Sequence, residues 1–551
     1  MQLQGHHVLI LGLGASGLAM ARWCARAGAE VTVADTRDAP PQLAVLQAEW
    51  PAVRFVPGPF AAHLVEGTSV RAVFRSPGLS PEAVAPVVNA AQAMGLWQGG
   101  ELSLFTAALM DLKDSYGYQP QVLAITGTNG KTTVTSLTGQ LVARSGKSVQ
   151  VAGNIGPTLL DTLTQALAQA QAQVDAQEQA PVISDEPVPL QVLQPETSNQ
   201  EAVPEMAQPV VMAQQPLALA LPEVWVLELS SFQLDSSEGF EPTAATVLNL
   251  SQDHLDWHGA MSAYAAAKAR IFGSKTLMVL NREDDLVMAM RPAPIRVKLQ
   301  KPIERECTLF GGDMPQRPGD FGIEVANGMT WLVRALEADE TRRRKDQVEE
   351  LHIQRLMPAD ALRIRGRHNA VNALAALALA SSAGCALGPM LYGLREYRGE
   401  PHRVEPVAII DGVEFFDDSK GTNVGATVAA LKGLGAERRI VAILGGDGKG
   451  QDFSPLVDPL SRFARAVVLI GRDAALIRSV VQDHVPLHDA ADLPAAVALA
   501  AQLAQSGDAV LMSPACASFD MFDDYVHRAD VFVKAVSDLA ELAGVAMEGG
   551  L

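Results

Sequence analysis

The sequence predicts an α/β protein of three domains, each built on a mainly parallel sheet with helices packed on its faces. Three observations support this. The chain has 551 residues, more than one hydrophobic core comfortably serves. Apolar, β-branched-rich runs alternate with helical patterns along most of its length, and each run ends in a polar or Gly-rich turn. Two such turns, near residues 12–17 and 127–133, join a strand to a helix in the manner that offers backbone N–H groups to phosphate oxygens.

Composition narrows the function. Apolar residues make up 48% of the chain and the formal net charge is -19. That excess of acid argues against nucleic acid or an anionic membrane surface as the main partner. An anionic substrate must then be met by local cations and N–H groups. Cys24, Cys307, Cys385 and Cys516 are widely spaced with no CxxC, so neither a disulfide framework nor a zinc site is indicated. The N-terminus shows no signal-peptide pattern, and no run approaches the roughly 20 apolar residues that span a bilayer. A soluble cytoplasmic chain, monomeric and acting on small molecules, is the expectation.

The first domain, 1–115, reads as Rossmann-like. A strand from His7 turns through Gly12-Leu13-Gly14-Ala15-Ser16-Gly17 into a helix and returns as a strand ending at Asp35, a GxGxxG unit with its acidic residue about 20 positions on. Alone, this pattern suits a dinucleotide such as NAD. A second phosphate loop downstream favours another nucleotide, with Thr36, Arg37 and the Ser76-Pro77-Gly78 turn framing base and diphosphate.

The central domain, 116–398, is a P-loop-ATPase-like unit organised around residues 121–133, QVLAITGTNGKTT. A buried strand ends in the turn Gly127-Thr128-Asn129-Gly130-Lys131-Thr132-Thr133. Lys131 adds a full positive charge for polyphosphate and Thr132 a hydroxyl suited to Mg²⁺. Ile125 stands where the first glycine of the usual Walker pattern falls. Asn154 lies in a Gly-Asn-Ile-Gly turn at a strand end, where open α/β sheets bind ligands. Residues 165–218 are rich in Ala, Gln and Pro and read as a disordered surface insertion, although their first part could prolong a helix. Glu228, with Asp253 or His254, offers hard oxygen and imidazole ligands at strand ends. Lys268, on an Ala-rich helix, reads as a solvated cation. The mixed-charge run 337–355 reads as a solvated surface helix or loop. Beyond it, His368, Asn369 and Asn372 open a long apolar helix, the two asparagines three apart on one face.

The last domain, 399–551, is again Rossmann-like, with strands alternating with helices. Arg403 precedes its first strand. Asp417, Asp418, Ser419, Lys420, Thr422 and Asn423 cluster after its second, and Lys449 sits in a Gly-rich turn. Lys420 and Lys449 are candidate anion binders, and Ser513, Ser518 and Tyr525 candidate ligand contacts.

In this order, TGTNGKTT, GNIG, ELSSFQL, DHLDWHG, AAAKARIF, GRHNAVNALAA, PHR, DDSKGTN, LGGDGKG and SPACASFD resemble the Mur ligase family over essentially the whole chain outside the insertion and the charged run. The DSKGTN stretch looks like that of the D-glutamate-adding members. The resemblance implies an amide ligase that joins D-glutamate to UDP-N-acetylmuramoyl-L-alanine through an acyl phosphate, using ATP and Mg²⁺, two ions in all, in peptidoglycan precursor synthesis. It implies that Gly127 to Thr133, His368, Asn369, Asn372, Arg403 and Asp418 face ATP. Ser16, Asp35, Thr36, Arg37, Ser76, Gly78 and Asn154 would bind the UDP-linked substrate. Lys420, Thr422, Lys449, Ser518 and Tyr525 would surround D-glutamate. Thr132, Glu228, His254 and Lys268, the last carbamylated by CO₂, would hold metal, with Lys131, His254 and Lys268 as the catalytic set. Rival readings at this point are a folylpolyglutamate synthase relative, a nucleotide-dependent regulatory protein and an NAD-binding protein.

Overall fold

The computed structural model describes residues 3–179, 215–296, 302–338, 351–436 and 438–545. Three large sheets follow one another along the chain. The first is parallel, in the order β3-β2-β1-β4-β5, from β1 (His7–Leu11), β2 (Glu30–Asp35), β3 (Arg54–Pro57), β4 (Val70–Arg75) and β5 (Trp97–Gly99). Its order reverses between β1 and β4, the kind of switch point where such sheets take ligands. A side chain at Gly17 would lie 2.0 Å from the Gly12 carbonyl oxygen, so only glycine lets the helix Ala15–Arg26 start this close to β1.

The second sheet is parallel throughout, in the order β11-β10-β9-β6-β8-β7. Its strands are β6 (Gln121–Thr126), β7 (Val149–Gly153), β8 (Val224–Glu228), β9 (Ala244–Val247), β10 (Leu277–Asn281) and β11 (Cys307–Phe310). Every β6 residue after Gln121 is buried, as the apolar run 122–126 demands of a central strand. A small antiparallel sheet joins β12 (Phe321–Ala326), β13 (Met329–Glu337) and β14 (Leu351–Pro358). The charged run therefore begins and ends in strand, not in a surface helix or loop, because Leu351, Ile353 and Arg355 pair with β13; residues 339–350 lie outside the described residues.

The third sheet runs β15-β16-β20-β17-β18-β19, from β15 (Glu405–Ile410), β16 (Val413–Asp417), β17 (Ile440–Gly445), β18 (Ala464–Ile470), β19 (Leu487–Asp489) and β20 (Ala509–Met512). It is parallel except for the edge hairpin β15–β16. Asp411 and Gly412 both have positive φ, 52° and 78°, the two-residue turn that joins antiparallel neighbours.

Helix Glu101–Tyr116 serves two sheets at once. Leu102, Leu104, Phe105, Ala108 and Leu112 share one core with Val8 and Ile10 of β1 and with Trp225 and Leu227 of β8, and the Phe105 and Trp225 rings meet edge to face at 5.2 Å. Helix Leu159–Gln179 packs on it and on Ala15–Arg26, and buries Ala166 and Ala170. The stretch from 165 to 179 is thus structural helix and not part of a disordered insertion, because its alanines face that core; residues 180–214 lie outside the described residues. Chain resumes at Gln215, whose N–H reaches the Tyr116 carbonyl, and helix Pro216–Ala220 packs against Leu159–Gln179.

Candidate active site between the second and third sheets

Strand β6 delivers the phosphate loop. Gly130, at φ 81°, begins helix Lys131–Arg144, and a side chain there would lie 2.9 Å from the Asn372 amide oxygen. The loop and helix Arg367–Ser382 can meet only because residue 130 carries no side chain. Lys131 Nζ donates to the carbonyls of Gly127 (3.0 Å) and Thr128 (2.9 Å), so its charge is held over the loop. Burial lowers its pKa, while Glu228 and Asp253 pull the other way.

The carboxyl ends of the neighbouring strands complete one wall. Glu228 ends β8 with 1% exposure; its Oε1 accepts from Asn154 Nδ2 at 2.7 Å, and its Oε2 is buried without a partner among the described residues. His254 has φ 53° and stacks edge-on to Phe232 at 4.7 Å. Burial, then Lys131 and Lys268, hold its imidazole below the ordinary value against the pull of Asp253. Lys268 is not the solvated cation that its helix suggests. It is 1% exposed, with Nζ donating to Thr126 Oγ1 (3.1 Å) and the Gly127 carbonyl (3.0 Å). Burial, and then the Lys131 charge, push its pKa well down, while Asp253 and Glu228 pull the other way.

The third sheet supplies the opposite wall. Arg403 Nη2 donates to Thr132 Oγ1 at 2.8 Å, and Asn423 Nδ2 donates to Asn129 Oδ1 at 3.1 Å. These contacts close a cleft of about 220 Å³ on which Lys131, Thr132, Asn154, Glu228 and His254 face Arg403, Lys420, Thr422 and Lys449. A second hollow of about 110 Å³ shares Asn129, Gly130 and Arg403 with it and is lined by Thr133, His368, Asn369, Asn372 and Asp418. Asn372 Nδ2 donates to Asn369 Oδ1 (3.2 Å), whose own amide donates to the Arg365 carbonyl (2.8 Å). Burial lowers the His368 imidazole to about 4 and raises the Asp418 carboxyl to about 7.

Other predicted residues lie elsewhere. Tyr525 is outside the cleft walls and meets them through Lys420, whose Nζ donates to Tyr525 Oη at 2.7 Å. Ser518 is buried and also outside the lining, and Ser513 donates to Asp418 Oδ2 at 2.6 Å. The first-sheet group lies apart from the cleft, near the ends of β1, β2 and β4. Asp35 accepts from the Leu13 N–H (2.7 Å) and from Arg37 Nε (2.8 Å), contacts that hold its carboxyl down at about 2 against the effect of burial. Ser76 Oγ donates to the Gly12 carbonyl, Ser16 bonds to Glu101, and Thr36 and Gly78 are exposed. Trp257 Nε1 reaches the Leu79 carbonyl at 3.3 Å, tying this group to the central domain. Sequence reasoning left Asn423 without a role, although an Asn directly before an apolar helix signals a cap; its Oδ1 caps Val424–Gly435 while its amide reaches the phosphate loop.

Three domain families match in chain order: a Mur ligase MurD-like N-terminal domain over 6–97, a Mur ligase middle domain over 210–380, and a Mur ligase glutamate ligase domain over 402–516. The chain belongs to the Mur ligase family. It is 64% identical over 549 residues to a UDP-N-acetylmuramoylalanine--D-glutamate ligase of Albidiferax ferrireducens, with 99% of each chain covered. A ligase of the same name from a Polaromonas species is 54% identical over 99% of this chain and 100% of its own. The fold is that of the MurF ligase from Thermotoga maritima, solved in complex with ADP (TM-score 0.51, 15% identity, 98% and 96% of the two chains covered).

Proposed function

We propose that this chain joins the amine of D-glutamate to the carboxylate of UDP-N-acetylmuramoyl-L-alanine at the expense of ATP, a cytoplasmic step of peptidoglycan precursor synthesis on which cell shape and division depend. The observation that carries the reading is the cleft in which a phosphate loop, a buried acid and a cationic wall from the third sheet converge. We divide the chain into a UDP-substrate domain (1–115), an ATP-binding domain (116–398) and an amino-acid-binding domain (399–551), with the cleft between the last two.

The substrate carboxylate attacks the γ-phosphorus and ADP leaves. The D-glutamate amine then attacks the acyl carbon, phosphate leaves, and the amine gives up a proton. Lys131 holds the β- and γ-phosphates with the N–H groups of residues 127–133. His368, Asn369, Asn372, Arg403 and Asp418 hold the rest of the nucleotide. Ser16, Asp35, Thr36, Arg37, Ser76 and Gly78 hold the uridine diphosphate end, and Asn154 the end near the chemistry. Lys420, Thr422, Lys449, Ser518 and Tyr525 hold D-glutamate.

The residues present fit Mg²⁺. Glu228 Oε2 is a buried carboxylate oxygen without a partner among the described residues, and Thr132 lies on the same cleft. They would hold one ion, and His254 with a carbamylated Lys268 a second. Bound Mg²⁺ would offset the negative charge that builds on the phosphoryl oxygens. Lys268 suits carbamylation because burial and the Lys131 charge disfavour its ammonium, and addition of its amine to CO₂ with loss of a proton would place an anion beside Lys131. Protein equilibrated with ¹³CO₂ should give a carbamate ¹³C resonance that Lys268→Ala loses; its persistence in the variant would move the modification elsewhere. The reaction itself is tested by mass spectrometry of the UDP-linked product. One added glutamyl residue, formed only with ATP and Mg²⁺, is expected, and an unchanged mass in the complete mixture would overturn the assignment.

A further inference from the structure

Arg528 lies in helix Tyr525–Leu542 on the buried stripe with Ala529, Phe532, Ala535 and Val536, and is itself 1% exposed. Among the described residues its three hydrogen bonds go to uncharged acceptors on two different loops. Nε donates to Ser419 Oγ (3.0 Å), Nη2 to the Ser419 carbonyl (2.8 Å), and Nη1 to the Cys516 carbonyl (3.1 Å). A buried guanidinium is expensive to keep, and such groups persist where their donors are satisfied by fixed partners. Burial lowers its pKa to about 10, which leaves it charged at neutral pH, with Asp520, Asp417 and Asp418 attracting it from farther off.

The two loops so joined carry proposed amino-acid contacts, Lys420 directly after Ser419 and Ser518 two residues after Cys516. A ring of contacts closes around them. Arg528 holds Ser419, Ser419 Oγ donates to the Tyr525 carbonyl (2.7 Å), and Tyr525 Oη accepts from Lys420 Nζ (2.7 Å). Lys420, on the cleft wall, thus takes its position from a ring whose buried member is Arg528.

We propose that Arg528 is a positioning residue for the amino-acid substrate, clamping the 417–423 loop to the 513–518 loop so that Lys420 is presented to a substrate carboxylate in a fixed place. The inference rests on the reading of Lys420 as a D-glutamate contact. Its effect falls chiefly on that substrate, because most of the residues placed at the nucleotide stand on the phosphate loop and helix Arg367–Ser382, to which Arg528 makes no hydrogen bond among the described residues, and Asp418, next to Ser419, has its own contact from Ser513 Oγ. The loops stay joined without it through Ser513 Oγ to Asp418 Oδ2 (2.6 Å) and the Ala515 N–H to the Gly421 carbonyl (3.0 Å), so its loss loosens Lys420 without separating them.

Steady-state kinetics on the full chain test this with Arg528→Met and Arg528→Lys, varying each of the three substrates. Arg528→Met should raise KM for D-glutamate about tenfold or more, with KM for ATP and for the UDP-linked substrate within about twofold of wild type. Arg528→Lys should fall between, because an ammonium keeps the charge but cannot reach both carbonyls and the hydroxyl together. A fall in kcat with KM for D-glutamate unchanged, or a parallel rise in all three KM values, would overturn the proposal. If Arg528→Met does not fold, Ser419→Ala decides, since it removes the hydroxyl's contacts to Arg528 Nε and the Tyr525 carbonyl and leaves the arginine on its two carbonyls; a rise of about threefold in KM for D-glutamate alone is expected, and no rise overturns the proposal. A wild-type enzyme whose turnover needs no D-glutamate would overturn the underlying reading along with it, and that result is seen before any variant is made.

Discussion

At the scale of single residues, the chemistry depends on charges that the fold keeps out of water. Lys131 is tethered to the carbonyls of Gly127 and Thr128, where a nucleotide's phosphates would replace weaker acceptors with full negative charge. Lys131→Ala should cost roughly 10²- to 10³-fold in kcat, by comparison with removing one donor to developing charge; turnover within twofold of wild type would contradict the phosphate-loop assignment. Asp418 gives a pH-dependent test. Burial raises its carboxyl to about 7, while the Ser513 hydroxyl and Arg403 act in the opposite direction. The native state therefore retains a proton that the unfolded chain releases near pH 4, and stability falls as pH rises from about 4 to about 7. Asp418→Asn abolishes that loss. Without nucleotide, its thermal midpoint should gain several degrees on wild type between about pH 5 and 8, and a pH-independent gap would show that Asp418 keeps an ordinary pKa. Lys131 and Glu228 are legible in the sequence because one follows a Gly-rich turn and the other ends a strand, whereas the role of Arg403 comes only from the family resemblance. Lys268 is not legible, since a lysine on an Ala-rich helix looks the same whether its helix faces solvent or, as here, the carbonyl of Gly127.

At the scale of elements, helix Leu159–Gln179 and its neighbours mark the limit of what composition reveals. Its Ala/Gln-rich sequence resembles the Pro-rich stretch that follows, yet Ala166 and Ala170 are buried against helices from the first domain. Low complexity hid an amphipathic face because alanine signals hydrophobic period weakly. A deletion confined to 180–214, with a short linker between the packed helices Leu159–Gln179 and Pro216–Ala220, should retain kcat within about twofold. A deletion of 168–216 should lower the thermal midpoint, since it removes Ala170 with the second half of helix Leu159–Gln179, and Pro216 from the start of the helix docked on it. Equal stability of the two would contradict the packing described here. The strands were legible from their apolar runs, and the phosphate loop from its glycines. The edge hairpin β15–β16 was less so, although Asp411-Gly412 is the dipeptide that the turn needs. Arg528 left one trace, an arginine four residues before Phe532 on an otherwise apolar stripe, which reads in isolation as a flaw in the pattern.

At the scale of the whole molecule, the three sheets are joined by a few polar contacts at the places where substrates must meet. Trp257 reaches the Leu79 turn of the first domain, while Arg403 and Asn423 reach the phosphate loop from the third. Such contacts bring the third domain over the loop and restrict water around an acyl phosphate, which water would otherwise hydrolyse. Arg403→Ala removes the contact to Thr132 and should lower kcat at least tenfold while raising the fraction of ATP hydrolysed without amide formation, read as phosphate released per product formed; a ratio that stays at one with unchanged kcat would show that the contact has no part in closure. The net charge of -19 gives no hint of this arrangement, because a sum over the chain does not reveal that Lys131, Arg403, Lys420 and Lys449 line one cleft. The most direct test is phosphate release from ATP with Mg²⁺, UDP-N-acetylmuramoyl-L-alanine and D-glutamate, omitting each component in turn and repeating with L-glutamate. Release that requires both substrates and the D isomer is predicted; release that proceeds without either substrate, or equally with L-glutamate, would contradict the assignment of the cleft.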